Sequence, residues 1–401
     1  MKQHLNKIHD YLVALLIVVV PFSRALPNII LPLVIVFFII GYKDSRLDAL
    51  KKTPVVILYA LMAYIFIKGA ISQSLFTEFN FYNKLFIIML LPILFTRVTN
   101  SLVIKLSLLL SIFGTILVSF VLFGVYFVKF GVLPFNTGSE VNKLLVLERP
   151  YAGFYALAGV VLCLHLIPSL PRYKWALRAA AAVAVCFIIC IAARLSLLSL
   201  AIISIVYLFF YSKIPVRGRV ALLGATACLI TVFIFFSGNL SKRFFINESV
   251  ATAIDYEPRF VIWNCAWHML EEPDYNYIVG FCNNIKVEGY YLQCFSDTIS
   301  NPGKKAYYLE TNFNSHNQFN DFMLVHGIIG FLLLVSLTVS VFISVRHNFA
   351  WTALFMGLTF FMLVENVLHR QMGCYFFSIF FSILLLLPAN VPIVRKAGIT
   401  K

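Results

Sequence analysis

Long apolar runs separated by short charged turns repeat along most of this chain. Read as helices they fall at about residues 11–22, 26–41, 54–71, 84–96, 101–128, 150–168, 176–193, 195–211, 219–237, 320–345, 349–364 and 375–390. A bilayer core is crossed by roughly 20 apolar residues, so the pattern predicts an all-α polytopic membrane protein of about twelve spans. One stretch, 238–316, is polar and breaks the rhythm. The expected organisation is helices 1–9 over residues 1–237, a large loop over 238–316, and helices 10–12 with a tail over 317–401.

The loop has a pattern of its own. In residues 259–270, Arg259, Trp263 and Trp267 recur at helical spacing, with Pro258 suited to a first turn and Pro273 beyond the end. This predicts an amphipathic helix on the membrane surface or over the bundle. The loop returns to apolar sequence through Ser315-His316-Asn317-Gln318, followed by Gly327 and Gly330, whose spacing suits close helix contact.

Composition agrees with the pattern. Of 401 residues, 61% are hydrophobic and 12% charged, and the mean hydropathy is +0.90. Soluble domains run nearer about 45–50% and about 25%. A soluble enzyme, a secreted disulfide scaffold and a disordered chain are thereby excluded. The net charge of +15 does not indicate a nucleic-acid partner, because the basic residues form no single face or tail.

Most of that charge orients the helices. Lys2 and Lys7, then Lys43, Arg46, Lys51 and Lys52, then Arg97 and Lys105, then Arg172, Lys174 and Arg178, then Lys213, Arg217, Arg219 and Arg346 flank alternate turns, and Arg395, Lys396 and Lys401 close the tail. Both termini are expected in the cytoplasm, with 238–316 facing outward, the periplasm in a Gram-negative inner membrane. The first apolar stretch, from Tyr11, lacks a small-residue cleavage site and is expected to be a retained helix. Cys163, Cys186, Cys190 and Cys228 lie in apolar runs. Cys282 and Cys294 could pair in an oxidising outward loop.

Four arginines depart from the orienting trend. Arg24, Arg149, Arg194 and Arg370 fall on the outward side, in short turns or at helix ends. An arginine in the apolar zone costs roughly 2.5–3.5 kcal/mol on insertion scales. Each alone could snorkel or pair with Glu365 or Glu148; together they suggest a shared anion site, since guanidinium forks onto phosphate oxygens. Tyr275, Tyr277, Tyr290, Tyr291, Tyr307 and Tyr308 suit a carbohydrate-facing surface. His316 stands at the membrane re-entry, and imidazole is an ordinary general base near neutral pH.

Taken in order, Ala193-Arg194-Leu195-Ser196, Pro258-Arg259, His316-Asn317, His326-Gly327-Ile328-Ile329-Gly330, Glu365-Asn366 and Arg370-Gln371-x-Gly373 resemble the O-antigen ligase and O-antigen polymerase superfamily over roughly residues 145–390. Leu195 and Cys282 depart from its pattern. The resemblance implies a GT-C-type glycosyltransferase that moves a glycan from undecaprenyl pyrophosphate to an acceptor sugar, such as lipid A-core, without metal or other cofactor. It implies His316 as base, Arg194 and Arg259 on the pyrophosphate, and Arg149, Arg24, Arg370, Glu365 and Asn317 in support. A single displacement would invert the anomeric centre.

Two other functions compete. A polymerase would use the same donor with a second lipid-linked repeat as acceptor; the single large loop favours the ligase. A flippase or transporter of an anionic lipid would use the arginines without a base and would show broken helices and repeated halves. No convincing repeat is visible.

Overall fold

The computed structural model describes residues 2–134, 138–212, 214–221, 224, 258–311 and 313–387. Among them 81% are helical and none lies in a strand. The first group comprises α1 (Lys2–Val19), α2 (Leu26–Ile40), α3 (Thr53–Ile71), α4 (Phe79–Phe95), α5 (Ser101–Phe130), α6 (Arg149–Leu166), α7 (Lys174–Cys190) and α8 (Arg194–Val206). A polar group follows, α9 (Pro258–His268), α10 (Asn284–Thr298) and α11 (Pro302–Thr311). The chain then returns through α12 (Gln318–Val345), α13 (Phe349–Met362) and α14 (Gln371–Leu386).

Each expected apolar segment coincides with one of these helices, except 219–237, most of which lies outside the described residues, as do Lys213, Cys228, Arg395, Lys396 and Lys401. The largest offset is at α1, which continues back to Lys2 through polar turns that an apolar pattern does not register. Six helices are long and apolar enough to cross a membrane: Thr53–Ile71, Ser101–Phe130, Arg149–Leu166, Pro171–Cys190, Arg194–Tyr211 and Gln318–Val345. Helices α2, α4, α13 and α14 are apolar but shorter.

Burial places α6 and α14 at the centre. Phe154 stacks on Phe361 at 5.1 Å, and Tyr155 on Phe376 at 4.7 Å, joining α6 to α13 and α14. At the C-terminal end of α14 the last carbonyls need donors. Arg46 supplies one to Leu386 O at 3.3 Å and Lys52 another to Leu385 O at 2.5 Å. Cations there also oppose the negative end of the helix dipole.

The break in α12 positions the opposite end. Gly327 takes φ 64°, ψ −166° in mid-helix, so Gly327 is a hinge in the backbone and not the helix-contact residue its spacing suggested. Such a break is tolerated only where other groups satisfy the freed backbone. Here Phe281 N donates to Leu324 O at 2.9 Å, Cys282 N to Val325 O at 3.0 Å, and Ile328 N to Tyr277 O at 2.9 Å. Lys68 Nζ adds a bond to Val325 O at 2.6 Å, and Tyr64 Oη one to His326 O at 2.7 Å, both from α3. The polar segment is therefore stitched to the bundle through backbone.

Helices α9–α11 bury a small core of their own, with Ile262, Met269, Tyr291, Phe295 and Tyr308 against Leu324 and Val325 of α12. A disulfide joins Cys265 to Cys294. Cys294 thus pairs with Cys265 and not with Cys282, the pairing the sequence left open: α9 brings Cys265 to α10, while Cys282 stays a free thiol in the 277–282 stitch. Glu78, buried before α4, accepts from Asn284 Nδ2 at 2.6 Å and Ile285 N at 2.9 Å, which anchors the start of α10.

Candidate functional site

Two short segments clasp each other at the site. The turn before α12 carries Ser315, His316 and Asn317; the turn between α13 and α14 carries Glu365, Asn366 and His369. Asn317 caps α12, its side-chain oxygen accepting from Phe319 N at 2.9 Å and Asn320 N at 3.1 Å. Buried Asn366 bridges the turns: its oxygen accepts from Ser315 Oγ and Asn317 N, each at 2.8 Å, and its amide donates to Asp321 Oδ1 at 3.1 Å. Gln318 accepts from Leu368 N at 2.7 Å. Between the two anchored neighbours His316 adopts φ 43°, the left-handed region that a non-glycine residue enters only when its surroundings hold it there.

Glu365 is the electrostatic centre. It is buried, 5% exposed. His316 Nδ1 lies 3.4 Å from its Oε2, and Arg259 Nη2 lies 3.5 Å from its Oε1. Both distances are long for hydrogen bonds, and His316 Nδ1 is buried without one. Glu365 therefore faces the imidazole without a hydrogen bond to it. Arg259 reaches it from the first turn of α9, and Trp263, one turn on, donates to Ser315 O at 3.1 Å. Trp267, the third member of that stripe, is exposed, so the stripe points from the site outward.

Arg24 and Arg370 sit elsewhere. They line a cavity of about 660 Å³ together with Lys84, Glu148, His369 and Tyr375. Arg370 pairs with Glu148; burial opposes its charge, but the Glu148 carboxylate more than compensates and raises its pKa above the ordinary guanidinium range. His369 Nε2 is 2.7 Å from Asp321 Oδ2, and Lys84 Nζ donates to His369 O at 3.0 Å. Arg149 and Arg194 open α6 and α8. One turn in, Gly153 packs against Ala193 and Ser196, which sets those two arginines on neighbouring helix ends.

The structure thus brings His316, Glu365 and Arg259 together, groups Arg24 with Arg370, and places Arg149 and Arg194 at the first residues of two packed helices. Lys84, Asp321 and His369 escape a search along the sequence. Lys84 begins an apolar run and reads as a flank, and the other two gain meaning only when two turns far apart in sequence meet; Asn366 is visible as part of Glu365-Asn366, but its bridging role is not. Compared with known proteins, the chain matches no family model and no curated protein.

Proposed function

We propose that this chain is a membrane glycosyltransferase of the O-antigen ligase type, moving a glycan from undecaprenyl pyrophosphate to a lipid A-core or similar acceptor sugar. One observation carries the proposal: a single buried carboxylate, Glu365, faces both the histidine and the loop arginine that such a transfer requires. The proposal extends to twelve spans of GT-C type in a Gram-negative inner membrane, with both termini in the cytoplasm. The Cys265–Cys294 bond supports placing the polar segment in an oxidising compartment, the periplasm.

In this mechanism His316 takes the proton of an acceptor hydroxyl as its oxygen attacks the anomeric carbon. The bond to the pyrophosphate oxygen breaks, and undecaprenyl pyrophosphate leaves toward Arg259 and Arg194, with Arg149 adjacent. Fixed cations stabilise this developing charge without reorganising. Glu365 faces the imidazolium that His316 becomes and stabilises its charge, while Asn366 holds the neighbours of His316 in place. One displacement inverts the sugar, and the step calls on no metal.

The break in α12 is a feature a transporter would also show. Its freed carbonyls and amides are occupied by the 277–282 segment, Lys68 and Tyr64, so they are not offered to a substrate, and this favours the enzyme.

The test is the lipopolysaccharide profile of a strain lacking this gene, beside its lipid-linked glycans. Bare core with polymer accumulated on the carrier supports the ligase. Core capped by a single repeat means a polymerase, and an unchanged profile refutes the proposal.

A further inference from the structure

The cavity lined by Arg24, Lys84 and Arg370 adjoins the Glu365 group: none of that group's three members lines it, but Arg370 feels the charge of Glu365. Its cations come from three distant parts of the chain: the α1–α2 turn, the first turns of α4, and the residue before α14. Glu148 is the one carboxylate on its wall, so the wall is net positive even with His369 neutral. Arg370 is already matched by Glu148, whereas Arg24 has no ion-pair partner among the described residues. Lys84 is held in place by the carbonyl of His369, whose ring is held by buried Asp321. A volume of about 660 Å³ is that of a small-molecule site and not of a single trapped ion.

From Arg24 the chain runs into α2, where Ile29, Leu33 and Val36 are exposed at helical spacing. Asn28 of α2 accepts from Gln371 Nε2 at 2.6 Å and so ties this helix to the start of α14 beside the cavity. A ligand with its anionic head among the cations can lay an apolar tail along α2.

We propose that this cavity is a second anion site, which takes a phosphate group carried on a membrane amphiphile. Arg24 and Lys84 supply charge-assisted hydrogen bonds to the phosphate oxygens, and Arg370 exchanges Glu148 for the ligand or shares it. The phosphate belongs either to a lipid-linked glycan substrate or to the headgroup of a bilayer phospholipid. The substrate arm rests on the transfer proposed at Glu365, and the phospholipid arm does not.

The test uses the full chain in neutral detergent, titrated with radiolabelled inorganic pyrophosphate. In parallel the protein is placed in nanodiscs of phosphatidylcholine with phosphatidylglycerol, and retained lipid is counted by native mass spectrometry. Arg24→Gln combined with Lys84→Gln is expected to weaken one of the two ligands by about a hundredfold, roughly tenfold for each charge-assisted hydrogen bond removed. Arg24→Lys with Lys84→Arg keeps the charge and retains binding, and so does Lys51→Gln, which removes an exposed cation that does not line the cavity. Loss of pyrophosphate assigns the site to a substrate phosphate; loss of phosphatidylglycerol alone assigns it to the bilayer. Unchanged binding of both ligands in the Gln pair overturns the proposal, as does equal loss in the charge-conserving pair. Binding is measured without turnover, so either result leaves the Glu365 proposal to its own test.

Discussion

Gly280 and Gly327 meet backbone to backbone. Both take left-handed φ, 71° and 64°, and a Cβ added to either falls 2.6 Å or 2.5 Å from the other's amide nitrogen. Neither backbone can retreat without losing the stitch between the polar segment and α12. Gly327→Ala is therefore expected to cost at least about 1–3 kcal/mol in strain, read as a lower midpoint of thermal unfolding in detergent. A midpoint equal to the parent's would show that the two segments do not meet in this way.

Lys68 secures the same junction from α3. Its ammonium reaches Val325 O and, at 2.7 Å, His326 Nδ1. Lys68→Met keeps the apolar stem but leaves the broken helix short of a donor, an expected loss of about 1–3 kcal/mol. Limited proteolysis reports it: the 277–282 segment is cut faster in the variant. Identical cutting rates contradict the assignment.

The cysteines give a chemical check on the packing of α9 against α10. Cys265 and Cys294 should resist maleimide until reduced, while Cys282 labels in the unreduced, denatured protein. The bridge closes a segment of sequence separation 29, and its removal by Cys265→Ser is expected to cost about 3–4 kcal/mol of loop-closure entropy. Protection of Cys282 in place of Cys265 would restore the pairing that sequence spacing suggested.

Asn366 touches no proposed reacting atom, yet it holds both neighbours of His316. Asn366→Ala removes the shared acceptor of Ser315 Oγ and Asn317 N. Transfer should fall mainly in kcat, with the donor's KM little changed, because the base is misplaced while the cations remain. Asn366→Asp keeps the acceptor oxygens but sets a second carboxylate against Asp321, and it should recover activity only as pH is lowered. A pure rise in KM, with kcat intact, would mean that Asn366 serves binding.

Much of the architecture was legible because apolar runs of helical length have few alternatives. Arg259 at the start of an amphipathic helix and His316 at the loop's end were visible for the same reason, as residues where a periodic pattern starts or stops. The break at Gly327 was not, since a left-handed glycine and a helix-contact glycine look alike in sequence. Nor was the partner of Cys294, which depends on how α9 lies against α10. The separation of Arg24 and Arg370 from Arg259 was also hidden: one side of a membrane is a shared address, but it does not fix a shared pocket.

The central claim concerns His316, Glu365 and Arg259, and it is tested most directly by transfer in vitro with purified protein, an undecaprenyl-pyrophosphate-linked glycan and an acceptor glycolipid. His316→Ala is expected to lower kcat by about a hundredfold or more, the usual contribution of a general base, with the protein still folded by size exclusion. Transfer by His316→Ala at the parent rate would contradict the account.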